Sequence, residues 1–147
     1  MNLINELRAK SNNVEDIKKE VIKEITSCFD KYLDGEKFEN YLRQRISDDD
    51  IRNRKFYMGV NFWEYHDGCS TTHFSCGGLC WYNPENKDGY QSYEYKGIEL
   101  NTIDKEVGAY LSDKLERTMT ELGFELLSKE RRKSRFDYYQ MDYYFGW

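Results

Sequence analysis

The sequence predicts an α+β fold: N-terminal helices, then an antiparallel sheet of about five strands in the order βββ-α-ββ, with one helix packed across it. Three observations predict this. Helical spacing governs residues 2–46. Two-residue alternation takes over from Lys55, in runs separated by turn-forming residues. One helical segment, 102–122, interrupts those runs, and strands joined by hairpin signals pair antiparallel.

Residues 2–10 read as a first helix with Leu3, Ile4 and Leu7 on one side. Ser11-Asn12-Asn13 interrupts it, and Asn12 with Glu15 has the spacing of a capping box for a second helix reaching about Leu33. The apolar stripe of that helix is Val14, Ile17, Val21, Ile25, Cys28 or Phe29, and Tyr32. Asp34-Gly35 ends it. A third helix turns Phe38, Tyr41, Leu42 and Ile46 inward, and Ser47-Asp48-Asp49-Asp50 closes the helical part. The change of texture there divides the chain into a helical arm, 1–50, and an α+β body, 51–147, within one compact domain.

In the body, Lys55–Tyr65 alternates, with Phe56, Met58, Val60 and Phe62 on one face. Thr72–Tyr82 reads as a second strand, with Gly77-Gly78 marking a bulge or a close backbone approach. Residues 83–89 carry turn chemistry, and Tyr90–Lys96 makes the third strand. The helix at 102–122 presents Val107, Leu111, Leu115, Met119 and Leu122, and Gly123 stands where a left-handed C-terminal cap belongs. Phe124–Ser128 begins the fourth strand, Lys129–Ser134 turns, and Arg135–Trp147 returns as the fifth.

That last strand is unusual. Its alternation puts Tyr139, Met141, Tyr143, Phe145 and Trp147 on one face, and Phe136, Tyr138, Gln140, Asp142 and Tyr144 on the other. A core accounts for one ring-bearing face; the other calls for a second layer, a second subunit or a ligand. The chain holds 8 Phe, 3 Trp and 13 Tyr, and this dominance of tyrosine suits an interface or stacking surface better than a dry core.

Net charge is −5, distributed unevenly: residues 1–50 carry 9 basic and 12 acidic groups, residues 129–147 carry 5 and 3. An acidic body argues against broad DNA binding, which requires a wide basic footprint. No apolar run reaches the length of a membrane span, and the opening residues lack the apolar stretch of a signal peptide. These features predict a cytoplasmic chain whose four cysteines, Cys28, Cys69, Cys76 and Cys80, are reduced thiols or metal ligands.

Two constellations carry possible chemistry. Cys69, His73, Cys76 and Cys80, with His66 nearby, supply zinc-type ligands, although their spacing lacks the paired Cys-x2-Cys knuckles of zinc modules. The same residues would serve a Cys-dependent hydrolase or transferase if a thiolate met an imidazole, with Gly77-Gly78 as backbone donors. The second constellation is Arg131, Arg132 and Arg135 leading into Tyr138, joined by Trp63 and Tyr65 on the first strand. Arginine forks hold anions and rings hold flat groups, which fits a nucleotide-like ligand or a protein edge. No P-loop, dinucleotide-binding turn or His-Glu-x-x-His signature occurs.

The expectation is therefore a non-enzymatic binding protein without a cofactor, self-associating into a homo-oligomer, with a protein partner or a small anionic nucleotide-like ligand. The zinc module and the Cys enzyme are the alternatives. In texture the chain resembles the accessory proteins of phages and mobile elements, which implies stoichiometric sequestration of a ligand or blockade of a partner.

Overall fold

The computed structural model describes residues 2–66, 69–83, 94–132 and 140–147, with side chains not described at 62–66, 69–73, 80 and 82. The element order is α1 (Leu3–Leu33), α2 (Glu36–Arg45), α3 (Asp48–Asn53), β1 (Lys55–His66), β2 (Cys69–Cys76), β3 (Leu79–Tyr82), β4 (Glu94–Tyr95), β5 (Ile98–Glu99), a 3-10 turn at Leu100–Thr102, α4 (Asp104–Glu121), β6 (Glu125–Arg131) and β7 (Gln140–Gly146). Helices and an antiparallel sheet thus follow the expected βββ-α-ββ order. Among the described residues the main sheet has five strands, ordered β3-β2-β1-β7-β6, and β4 and β5 form a separate two-stranded ribbon.

The expected break at Ser11-Asn12-Asn13 is absent, and α1 runs through it. Its N-cap is Asn2, whose Oδ1 accepts the Ile4 N–H at 2.9 Å. Ser and Asn inside a helix each cost about half a kcal/mol relative to alanine, too little to break a long helix anchored at its other end. That anchor is the half from Val21, where Val21, Ile25, Phe29 and Leu33 are buried in the core of the same chain. The other half extends from the body, and Leu3, Ile4, Leu7 and Val14 are exposed. Ser47 likewise starts a helix instead of closing one. Its Oγ accepts the Asp50 N–H at 3.1 Å, and Asp50 accepts the Ser47 N–H at 2.9 Å, a reciprocal cap for α3.

The expected second strand, Thr72–Tyr82, is two strands. Gly77-Gly78 is the turn of a hairpin, with Cys76 opposite Leu79 and Phe74 opposite Trp81. Gly77 has φ +61°, a left-handed conformation that glycine adopts without strain. A Cβ on Gly78 would come within 2.5 Å of the Tyr41 ring, so the close approach foreseen at this pair is to α2. Of the third expected strand, Tyr90–Lys96, the described part pairs Glu94–Tyr95 with Ile98–Glu99; residues 84–93 lie outside the described set. β6 continues to Arg131, past the expected turn, because Lys129, Glu130 and Arg131 still pair with Tyr143, Asp142 and Met141.

β1 and β7 form the centre of the sheet, in a register that pairs Phe56 with Phe145, Met58 with Tyr143 and Val60 with Met141. All but Met141 are buried, with Phe74, Cys76 and Trp81 from the hairpin, beneath Val107, Leu111, Leu115 and Met119 of α4 and the inner half of α1. Leu122, expected inward, is 38% exposed. Arg117 and Thr120 stay outside, so α4 is amphipathic as its spacing predicts. No described helix is long and apolar enough to cross a membrane.

Candidate functional site

The second face of the sheet is set by the same register. Tyr57 pairs with Tyr144, Gly59 with Asp142 and Asn61 with Gln140. Tyr57, Gly59, Asn61 and Asp142 are half-buried on this face, and Tyr144 is 43% exposed. Gln140, at the margin of this face, is buried.

Glycine at position 59 allows the face its main contact. With no side chain there, the Tyr57 ring lies along the sheet and its hydroxyl donates a hydrogen bond to Asp142 Oδ1, the residue opposite Gly59. A Cβ on Gly59 would fall 2.8 Å from the Tyr57 hydroxyl. An aromatic ring covering a glycine of the same sheet is a known means of fixing strand register. Arg132 completes the group: its Nε donates to the other Asp142 oxygen at 3.0 Å. The Tyr144 ring tilts against Tyr57, with centroids 5.6 Å apart. Burial, then the hydrogen bond to the Asp142 carboxylate, pushes the Tyr57 phenol up to about 12.

The face ends in a hollow of about 250 Å³ lined by Tyr41, Gly59, Asn61, Ser75 and the Gly77-Gly78 turn. β2 ends at Cys76, opposite Val60, so residues 55–59 of β1 run beyond it. There Arg45 of α2 donates to the Tyr57 carbonyl at 3.3 Å. Burial raises the pKa of the Tyr41 phenol, against the opposing pull of the Arg45 charge.

Of the residues expected to bind, the structure places the side chains of Arg131 and Arg132. Arg131 ends β6 and Arg132 follows it, its N–H donating to the Gln140 carbonyl at 2.9 Å, and alternation sends the two side chains to opposite sides. Arg131 is opposite Met141, on the helix side, while Arg132 reaches Asp142 on the open side. Trp63 and Tyr65 lie on β1, opposite Thr72 and Ser70, with side chains outside the described set. Arg135 and Tyr138 lie wholly outside it.

Among the Cys/His group, the backbones of Cys69 and His73 belong to β2 and that of Cys80 to β3, and their side chains are not described. Cys76 is fully buried in the core, and burial pushes its thiol up to about 12, so it is protonated at neutral pH. No group of three or more His, Cys, Asp or Glu suited to a metal ion occurs among the described residues.

Sequence reading missed Tyr57, Gly59 and Asp142 as a unit. A signal existed: a glycine in an alternating strand two residues after a tyrosine, and an aspartate on the polar face of the returning strand. Pairing the two needs the register, which local pattern does not supply. No family model matches the chain, and no curated protein or solved structure matches it.

Proposed function

We propose that the chain acts by stoichiometric binding, presenting the open face of its sheet to a protein partner and blocking that partner's surface, as accessory proteins of phages and mobile elements do. The observation that carries this reading is the pairing of two unlike faces on one rigid strand pair. One face of β1 and β7 is core, and the other carries Tyr57, Asn61 and Asp142 half-buried beside an exposed Tyr144. Tyrosine with small polar residues is the composition of adaptable protein-binding surfaces, because the ring gives contact area at low entropy cost. Sites built on sheets hold their geometry better than sites built on loops.

The charge pattern favours a protein over a nucleotide-like ligand. An anion site needs a cation whose charge is not already satisfied, and Arg132 is held by Asp142. The acidic body adds long-range attraction for a basic partner.

The test is native mass spectrometry of tagged chain recovered without denaturation from its own cells, for the wild type and for Asn61→Arg and Tyr144→Arg. The expected wild type carries a protein partner in whole-number stoichiometry, and both variants lose it while melting as the wild type does. A retained mass of a few hundred daltons supports the nucleotide-like ligand instead, and a zinc increment supports the metal module.

A further inference from the structure

A second surface lies away from the open sheet face, between α2 and the C-terminal end of α4. Two cavities meet there and share Leu122. One, of about 270 Å³, is bordered by Asp34, Glu36, Glu39 and Glu121. The other, of about 210 Å³, is walled by Ile46, Leu122, Phe124 and Trp147. α2 connects them, with Glu36 in its first turn and Ile46 just past its end. At 1.5 Å per residue this helix spans about 15 Å, and Leu122 borders both cavities, which we take together as one groove, acidic at one end and apolar at the other.

The apolar end is built and open at once. Phe56, Phe124 and Trp147 pack edge to face or tilted, with centroids 5.6–6.3 Å apart. Yet Trp147 is 43% and Leu122 38% exposed. A large ring held on one side and bare on the other is what an anchoring pocket presents.

The acidic end shows an imbalance. Glu36 and Glu39 stand in the first turn of α2, where carboxylates suit the positive end of the helix dipole. Glu121 has no such reason. It occupies the last turn of α4, at the negative end of the dipole, and that turn holds no basic residue. Among the described residues, Lys114 holds Asp34 at 2.8 Å, and Arg43 lies 3.6 Å from Glu39 in an exposed pair. Neither Glu36 nor Glu121 pairs with a described residue. A helix end that breaks the dipole rule beside an open apolar pocket is the kind of local conflict that marks a functional surface.

We infer that this groove binds a basic amphipathic segment of a partner protein, with an aliphatic or aromatic side chain between Ile46, Leu122, Phe124 and Trp147 and a lysine or arginine at Glu36 and Glu121. Apolar anchors at helical spacing and flanking cations are the helix-in-groove mode of recognition. The inference stands apart from the open sheet face, from which it borrows no residue.

The test uses the whole chain and a dye-labelled helical peptide of about 14 leucines and lysines, long enough to hold a helix on a surface. Its counterpart has glutamate for lysine, and the readout is fluorescence anisotropy. The expected result is saturable binding of the Leu/Lys peptide, weakened at least about tenfold in Glu36→Lys/Glu121→Lys and in Leu122→Ser. Binding should be unchanged in the control pair Glu15→Lys/Asp16→Lys on the exposed half of α1, and the Leu/Glu peptide should not bind. The charge-reversed positions lie on the surface, so that variant keeps the test alive if Leu122→Ser fails to fold. The inference is overturned by absence of saturable binding, by equal loss in the control pair, or by binding indifferent to both groove variants. A dimer of the chain alone that these variants dissolve would assign the groove to self-contact and also overturn it.

Discussion

Adjacent residues of β7 live in different worlds. Phe145 is 1% exposed, stacked near Tyr143 and tilted against Phe56; Tyr144, one residue earlier, is 43% exposed and leans on Tyr57. The difference teaches how an aromatic-rich chain is to be read. Ring content alone does not separate core from surface, but strand parity does, because a two-residue period sends neighbours to opposite sides. On the covered face rings meet rings and aliphatics, with energies set by burial. On the open face the rings are tied to polar groups: Tyr57 to Asp142, and Asp142 to Arg132.

The contrast breaks most visibly under truncation. Phe145→Ala should cost about 3–5 kcal/mol and Leu115→Ala about 2–5 kcal/mol in urea unfolding, since both remove fully buried volume. A loss of only a few tenths would mean that α4 does not pack where the register puts it. Cys76→Ser should cost about 1–3 kcal/mol by placing a hydroxyl among Phe74, Val60 and their neighbours. Cys76 should also react with a thiol reagent only as fast as the chain unfolds, which timed mass spectrometry would follow.

A finer test uses pH. Tyr57 has its folded pKa raised above the ordinary value of 10, to about 12, so the protonated phenol is the form that the fold favours. Its contribution is complete below pH 10 and is lost as pH rises toward 12. Wild type should therefore exceed Tyr57→Phe by about 1 kcal/mol at neutral pH. The gap should close on alkaline titration, and a gap independent of pH would disconnect the hydroxyl from Asp142. The smallest effect belongs to the open face itself: Tyr144→Ala and Asn61→Arg should shift stability by no more than about 0.5 kcal/mol while removing the partner.

What the sequence made legible was whatever a short period encodes. The alternation grouped Phe56, Met58 and Val60 on one face and Met141, Tyr143 and Phe145 on one face, and both faces turn to the core, while Gly123 capped α4 at φ +100° as its position foretold. Misreadings arose where a local signal met a longer-range one. Ser11-Asn12-Asn13 looked like a cap, but α1 is anchored by burial farther along. Gly77-Gly78 looked like a flaw within one strand, yet it joins two that pair with each other. Ser47 looked like an ending and is a reciprocal cap. The Tyr57–Asp142 contact joins residues 85 positions apart, and no local pattern reports such a pairing. Arg131 and Arg132 looked like one cationic cluster, and strand geometry divides them.

The central claim is that the open face is covered by a partner in the cell while the other face is covered by the chain itself. Hydroxyl-radical footprinting read by mass spectrometry tests it residue by residue, on the purified chain and on the complex recovered from its own cells. The account predicts strong modification of Tyr144 in the purified chain, protection of Tyr144 in the recovered complex, and little modification of Phe56, Tyr143 and Phe145 in either. Equal labelling of Tyr144 in both samples would contradict it.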